Sequence, residues 1–460
     1  MYRSETLLKI SILGPIKFTF YMETLIIAIF FLGYLFITLE HNVKVDKLIP
    51  ALAMMALLWA IAALGHLEMF EVNTALKELE PTHLEEILLH HLGKTAEILV
   101  FLLGAMTIVE IIDYFDGFST IKGFIRTRSK TALLWIFSIL AFILSAIIDN
   151  LTATIVLITI LQKVIKDKNL RLFFAGLIII NANAGGAWSP IGDVTTTMLW
   201  IAKKVEAATL VKMVLLPSIV CMLVPTLIAS RFKVFQGTIE MEELEPEKTA
   251  YSGTMLYLGL GAIVFVPFFK TVTHLPPYVG MMLSLAVVAL FAEIFSNRKF
   301  KMADTTGNAE AGHHSPVHKA LTKIELPSIL FFLGILMAVA CLESLGILFT
   351  AAEGMNQAIP NTDIVVLLLG IGSAIIDNVP LVAASMGMFS EPIDSPLWHF
   401  IAYSAGTGGS MLIIGSAAGV VAMGMEKIDF FWYFKKMAWL ALIGFVSGGL
   451  VFMALRDFVF

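Results

Sequence analysis

Charged residues are scarce in this chain of 460 residues, because Asp, Glu, Lys and Arg together make up only 15% of it. Hydrophobic residues make up 58%, and the mean hydropathy of +0.87 lies far outside the range of soluble globular proteins. Many segments reach the roughly 17–25 apolar residues that a helix needs to cross a bilayer. The composition therefore predicts a protein that crosses a membrane several times.

Cysteine, clustered basic charge and catalytic motifs are also rare or missing. The two cysteines, Cys221 and Cys341, lie far apart in apolar segments without metal-binding spacing, so we interpret them as buried apolar residues. The sequence contains no basic stripe with interleaved aromatic residues, which argues against a nucleic-acid partner. It contains no His-Glu-x-x-His zinc motif and no evident pairing of a nucleophile with a base, so we expect no enzyme activity.

A short polar motif is present twice inside apolar sequence. The six residues Ser-Ala-Ile-Ile-Asp-Asn at 145–150 recur unchanged at 373–378. Each copy places a carboxylate beside an amide at bilayer depth, and these residues are Asp149, Asn150, Asp377 and Asn378. Because an ionisable group in hydrocarbon is costly, it usually faces a partner, a cavity or a transported ion. The duplication therefore indicates a transporter built from two repeats.

A Gly-rich interruption follows each copy of the motif within a further apolar segment. The first interruption spans 181–197 and the second spans 404–416. Glycine adopts backbone conformations that other residues avoid, and proline removes a hydrogen-bond donor, so both interruptions predict broken helices with unpaired carbonyls and amides. The residues whose backbone we expect to contribute to a site are Gly185, Gly186, Ser189, Pro190, Gly408 and Gly409.

The order of these features divides the chain into two halves of about five spanning helices each. The predicted segments are an N-terminal segment at 1–22 (either an extra helix or an interfacial one), a first repeat at 23–232, a cytoplasmic linker at 233–249 and a second repeat at 250–460. The two Asp-Asn motifs lie at the centres of two further apolar regions, 131–165 and 363–390.

The charges of the loops orient these two apolar regions. Lys and Arg flank the first region on both sides, whereas the loops at 351–362 and 391–398, which flank the second, contain neither. By the positive-inside rule, both ends of the first region are cytoplasmic and both ends of the second are external. Each region therefore enters and leaves on one side, as a re-entrant hairpin does. An odd number of spans per half inverts the second repeat, so we expect an all-α membrane protein of two inverted repeats, as in secondary transporters.

The carboxylates favour a cation as the transported species. Both predicted hairpin tips carry an Asp, Asp193 lies in the first helix break, and no Lys or Arg lies near either motif to neutralise an anion. Carboxylate, Asn and Thr oxygens are hard ligands that suit Na⁺ or Li⁺. Protons and Na⁺ can compete for the same buried carboxylates. This competition is the minimal chemistry of a cation/proton antiporter.

At these residues the chain resembles the NhaD-type sodium/proton antiporters of the ion transporter superfamily. The resemblance covers 95–456 and rests on the two Asp-Asn motifs and the first helix break. It implies exchange of Na⁺ or Li⁺ for H⁺ without a cofactor, by a homodimer in a bacterial-type inner membrane. The ion-binding and proton-binding residues that it implies are Asp149, Asn150, Thr152, Asn183, Asp193, Thr195, Thr196, Asp377 and Asn378, with the three aspartates as the ligands of Na⁺ or Li⁺.

Several alternatives remain at the level of single residues. Asp193 before two threonines also suits a helix N-cap, Thr195 and Thr196 can bond within their own helix, and the two Asn side chains can brace the tips instead of binding the ion. The second half has Ser416 where the first has Asp193, and Pro380 where the first has Thr152. We therefore do not expect the two halves to bind the ion equally.

Two other functions remain open. One is an anion carrier of the dicarboxylate or arsenite type from the same superfamily. The other is a passive channel, against which two hairpins that close a site from opposite sides would argue.

Overall fold

The structure is a computed structural model in which residues 21–37, 44–73, 78–122, 127–239, 251–305, 315–375 and 378–458 are described. Within these described ranges the elements are helices, apart from one antiparallel hairpin of strands β1 (Met69–Asn73) and β2 (Glu78–Thr82). The all-α prediction missed this hairpin, because strands of five residues give too short an alternation to stand out from the sequence around them.

The helices of the first half are α1 (Tyr21–Ile37), α2 (Leu48–Leu64), α3 (Leu84–Tyr114), α4 (Ser119–Lys122), α5 (Lys130–Ile148), α6 (Asn150–Val164), α7 (Lys168–Gly186), α8 (Val194–Ile201) and α9 (Ala207–Ala229). Those of the second half are α10 (Ser252–Thr273), α11 (Pro277–Thr305), α12 (Pro316–Lys323), α13 (Leu326–Ser344), α14 (Ile347–Ala358), α15 (Thr362–Gly372), α16 (Asn378–Met388), α17 (Pro396–Gly408), α18 (Ala417–Glu426), α19 (Phe430–Lys436) and α20 (Ala438–Phe458). Short 3₁₀ turns occur at Lys233–Phe235 and Gly409–Met411.

Seven helices in the described part of the chain are long and apolar enough to cross a membrane, by length and composition. They are α3, α5, α9, α10, α11, α13 and α20. Helices α1 and α2 are shorter apolar helices at predicted spans. Cys221 and Cys341 are both buried, as predicted. The predicted helix at the N-terminus lies outside the described residues, except for Tyr21 and Met22 at the start of α1.

The Gly-rich interruptions break helices where the sequence predicts. Helix α7 ends at Gly186 and α8 begins at Val194, whereas α17 ends at Gly408 and α18 begins at Ala417. The two Asp-Asn regions are also divided. Helices α5 and α6 meet at Asp149, and α15 and α16 are separated around the second motif.

Contacts divide the chain into two compact units. One comprises Met1–Ala96, Leu326–Pro360 and Ala383–Pro392, and the other comprises Glu97–Glu325, Asn361–Val382 and Ile393–Phe460. Each unit takes segments from both halves of the chain, so this division differs from the predicted repeats, whose bounds stay a prediction. The candidate site residues that the structure describes all belong to the second unit.

Within the first unit, α2 packs closely along α13. A Cβ added at Gly334 would lie 2.7 Å from the backbone carbon of Ala51. The indole N–H of Trp59 donates to the Met337 carbonyl at 2.8 Å. A small residue and a side-chain hydrogen bond thus join two helices that lie far apart in the sequence.

Within the second unit, a buried ion pair ties the end of α18 to the start of α7. Nε of Arg171 lies 3.0 Å from Oε1 and 3.1 Å from Oε2 of Glu426, whose side chain is 1% exposed. The same guanidinium donates to the carbonyls of Ile165 and Lys166, which follow α6. One arginine therefore holds together the ends of three helices, of which α6 follows the first motif, α7 leads to the first break and α18 follows the second break.

We expect Glu426→Gln to lower the free energy of unfolding by about 3 kcal/mol, because it removes the counter-charge of the largely buried Arg171 guanidinium. Thermal unfolding in detergent micelles measures this effect. The control is Asp113→Asn, which breaks an exposed pair with Lys323 at 3.3 Å and should cost less than about 1 kcal/mol. Equal losses in the two variants would contradict a stabilising role for the buried pair.

Candidate ion-binding site

Asp149 is the single residue between α5 and α6. Its φ of 74° and ψ of 159° lie in a backbone region that is nearly exclusive to glycine and costs another residue about 1–3 kcal/mol. Its carboxylate caps α6, because Oδ1 accepts the Thr152 N–H at 2.8 Å and Oδ2 accepts the Thr152 hydroxyl at 2.9 Å. The tip residue predicted from sequence is thus a strained and partly exposed carboxylate that Thr152 orients.

Asp193 is a buried carboxylate in the break between α7 and α8, with 2% of its surface exposed. Its Oδ1 accepts the N–H of Thr195 at 2.8 Å and the hydroxyl of Thr195 at 2.7 Å. Its Oδ2 accepts the side-chain amide of Asn150 at 2.6 Å and that of Asn378 at 3.4 Å. These donors match the roughly four lone-pair sites of an ionised carboxylate. Both Asp-Asn motifs therefore reach one oxygen, and Asp193 also caps α8.

Asn183 links the first break to the second. Its Oδ1 accepts the Asn150 amide at 3.3 Å, and its Nδ2 donates to the Ile179 carbonyl at 2.9 Å and to Oγ of Ser416 at 3.1 Å. The side chain is fully buried. Because both ends of this amide are engaged, its oxygen is held toward Asn150.

The threonines after Asp193 are buried and donate their hydroxyl protons locally. Thr195 donates to the Asp193 carboxylate, and Thr196 donates to the Asp193 carbonyl at 2.9 Å. Thr197 donates to the Pro190 carbonyl at 3.0 Å. Thr196 thus bonds within its own segment, which is one of the alternatives that the sequence left open. A hydroxyl group that donates its proton still has oxygen lone pairs that can bind a cation.

The first residue of each repeated motif makes the same contact in both halves. The Ser145 hydroxyl donates to the Ala182 carbonyl at 2.5 Å, and the Ser373 hydroxyl donates to the Ala405 carbonyl at 2.8 Å. Each bond joins the helix before a motif to the helix before a break. Sequence reasoning missed these serines, although their place in an exact repeat was a signal for them.

Two glycines allow pairs of helices to approach each other equally closely in the two halves. A Cβ at Gly185 would collide with the Phe142 carbonyl, and a Cβ at Gly408 would collide with the Gly370 carbonyl. Phe142 and Gly370 each lie three residues before the serine of their motif. Likewise, Gly185 and Gly408 each lie three residues after the alanine whose carbonyl accepts the proton of that serine. The helices therefore pack in the same register in both halves.

Some carbonyls in the breaks are already paired. Thr197 donates to the Pro190 carbonyl, and the Tyr433 hydroxyl donates to the Ser410 carbonyl at 2.7 Å. The Ser189 hydroxyl oxygen accepts the N–H of Ile191 at 3.3 Å. The breaks are thus braced turns in which part of the expected set of unpaired carbonyls has a protein partner.

The predicted trio of carboxylates is only partly described. Asp377 lies outside the described residues, so its contribution to the ion-binding site stays a prediction. Among the residues that the structure describes, no three His, Cys, Asp or Glu side chains cluster as a metal site. Asp149 and Asp193 are nevertheless close enough to interact electrostatically.

The family of the chain follows from comparison with known proteins. A family model described as citrate transporter (CitMHS) matches residues 34–398. Sodium/proton antiporter 1 of Arabidopsis thaliana is 42% identical over 438 residues, which cover 94% of this chain and 72% of the relative. The Na(+)/H(+) antiporter NhaD of Alkalimonas amylolytica is 31% identical over 444 residues, covering 92% and 88%. The chain belongs to the NhaD-type family of the ion transporter superfamily.

A comparison with solved structures shows a related fold. The Alcanivorax borkumensis YdaH transporter matches with a TM-score of 0.52 at 11% identity, over 89% of this chain and 96% of the other. Together with the seven apolar helices of the described residues, the family model and the sequence relatives make the chain a multi-pass membrane protein of a transporter family. The named relatives are transporters and not enzymes.

The backbone strain at Asp149 generates a prediction about stability. We expect Asp149→Gly to be about 1–3 kcal/mol more stable than Asp149→Ala, because both variants lose the cap but only alanine keeps the strain. Thermal unfolding in detergent micelles measures the difference.

The matched control for this pair is Thr159, an exposed position within α6. There the order should reverse, with the alanine variant more stable than the glycine variant by about 0.5–1 kcal/mol. If alanine were also the more stable residue at position 149, the tip would carry no strain that glycine relieves.

Proposed function

We propose that this NhaD-type protein is a secondary antiporter that exchanges Na⁺ or Li⁺ for H⁺ across a membrane by alternating access. The observation that supports the proposal most strongly is the convergence of Asn150 and Asn378 on Asp193, with Asp149 in electrostatic reach. Two carboxylates surrounded by neutral amides and hydroxyls suit a hard cation and repel an anion. The relatives named Na(+)/H(+) antiporter support the same function.

The two described carboxylates have different roles in this proposal. Asp193 is buried and accepts donors on both oxygens, so it supplies a standing negative charge. Asp149 is partly exposed at a strained tip and is the group on which a cation and a proton compete. Asp377 is its counterpart at the second tip. The oxygens of Asn150, Asn183, Asn378, Thr152, Thr195 and Thr196 complete the coordination.

The architecture proposed for this cycle is a pair of inverted repeats with opposed re-entrant hairpins at 131–165 and 363–390. The matching contacts of Ser145 and Ser373, together with those of Gly185 and Gly408, support the repeats. The bias of Lys and Arg in the flanking loops supports the opposed orientation. We further propose a homodimer in the inner (plasma) membrane of the cell.

An anion carrier is the second candidate, because the matching family model is described as citrate transporter. The chemistry around the site opposes it. The described groups that donate to Asp149 and Asp193 include Thr and Asn side chains and backbone N–H groups, all of which are neutral, and the two carboxylates carry negative charge. A carboxylate substrate would meet repulsion in this environment.

Purified protein in liposomes with an acidic interior and a pH-sensitive dye tests the proposal. We expect Na⁺ or Li⁺ added outside to trigger proton efflux, and K⁺ or citrate to trigger none. Uptake of citrate without any response to the cations would support the anion carrier. Currents far above the turnover of a carrier would support a channel.

Three variants test the carboxylates in the same assay. Asp149→Asn, Asp377→Asn and Asp193→Asn should each abolish exchange while the protein still inserts, because an amide supplies neither the charge nor the exchangeable proton. Asp113→Asn is the matched control, an aspartate at an exposed position of α3 that should keep the wild-type rate. Wild-type rates in a variant of Asp149 or Asp377 would remove that residue from the mechanism.

A further inference from the structure

We infer that the two halves build one cation site per chain, at the first break, and that Ser416 of the second break positions this site without binding the cation. The inference rests on the proposed function and concerns its stoichiometry. A protein with two equivalent repeats could equally hold two cations, one at each break, and the described contacts of the second break favour the single site.

Ser416 occupies the position in the second break that Asp193 occupies in the first. Asp193 has φ −149° and ψ 146°, and Ser416 has φ −144° and ψ 152°. Each residue lies seven positions after the second glycine of its break and caps the helix that follows. The same backbone thus carries a charged side chain in one half and a neutral one in the other.

The hydroxyl oxygen of Ser416 is already used as an acceptor. It accepts the N–H of Gly419 at 3.2 Å and the Asn183 amide at 3.1 Å. A serine oxygen has two lone pairs, so these bonds occupy both of them. Ser416 therefore has neither a charge nor a lone pair to offer to a cation, and its contact with Asn183 instead turns the Asn183 oxygen toward Asn150.

The Asn residues of the two motifs point to the same conclusion. Asn150 donates to Oδ2 of Asp193 at 2.6 Å, and Asn378 donates to that same oxygen at 3.4 Å. If each half held its own cation site, Asn378 would be expected to form its hydrogen bond within the second break. It contributes to the first break instead.

Two hydroxyls of the second break, those of Thr407 and Ser410, donate to carbonyls of their own segment. Thr407 donates to the Tyr403 carbonyl at 2.6 Å, and Ser410 donates to the Thr407 carbonyl at 2.7 Å. The second break thus stabilises its own turn, whereas the first break presents a carboxylate to both motifs.

Equilibrium binding of radioactive ²²Na⁺ to the purified full-length protein in micelles tests this inference. We expect one Na⁺ per chain for the wild type. We expect Ser416→Ala to keep one Na⁺ per chain with an affinity about 10-fold weaker, as for loss of a residue that orients a ligand. Ser416→Thr keeps the hydroxyl and should restore the affinity.

The matched variant is Asp193→Ser. It places a serine in the first break, where the backbone conformation matches that of Ser416, which caps α18. Because serine is a good N-cap, the variant should fold, and its thermal unfolding checks this. We expect it to bind no Na⁺.

Two Na⁺ per chain in the wild type, complete loss of binding in Ser416→Ala, or retained binding in Asp193→Ser would each overturn the inference while leaving cation transport intact. A wild-type protein that binds no Na⁺ at all would overturn the proposed function and the inference with it.

Discussion

A carboxylate surrounded by apolar helices requires a hydrogen-bond donor for each of its lone pairs, and the arrangement around Asp193 meets this requirement. Asp193 must cap α8, which begins at Val194, for Thr195 to donate twice, so the preceding helix has to stop before Asp193. The amides of Asn150 and Asn378 must arrive from two motifs more than 200 residues apart in the chain. The solvation of one buried charge therefore depends on the placement of both motifs and of a helix break.

The helices can satisfy that charge only if their backbones come unusually close. Gly185 and Gly408 remove the side chains that would collide with the carbonyls of Phe142 and Gly370. Ser145 and Ser373 then join the same pairs of helices by hydrogen bonds, which are valuable where no water competes. A steric constraint and a polar contact thus recur in both halves, while the second break has the neutral Ser416 where the first has the carboxylate of Asp193.

The sequence predicted much of this. The apolar segments and both helix breaks were predicted correctly, because apolar runs, glycine and proline have large local effects on the backbone. The short hairpin of β1 and β2 and the buried pair of Arg171 with Glu426 were missed. A five-residue strand carries little pattern, and an ion pair between residues 255 positions apart leaves no trace in one sequence.

By itself the sequence determined the membrane setting, the duplicated motif and the acidic character of the site, since these depend on composition and on local backbone preference. Only the tertiary structure decided which donors reach which carboxylate. In the structure, the Asn378 amide donates to Asp193, the Ser416 oxygen accepts the Asn183 amide, and Asp149 adopts a strained backbone conformation. The reason is physical: a hydrogen bond depends on ångström distances between helices, and those distances are set by packing of the whole unit and not by any single segment.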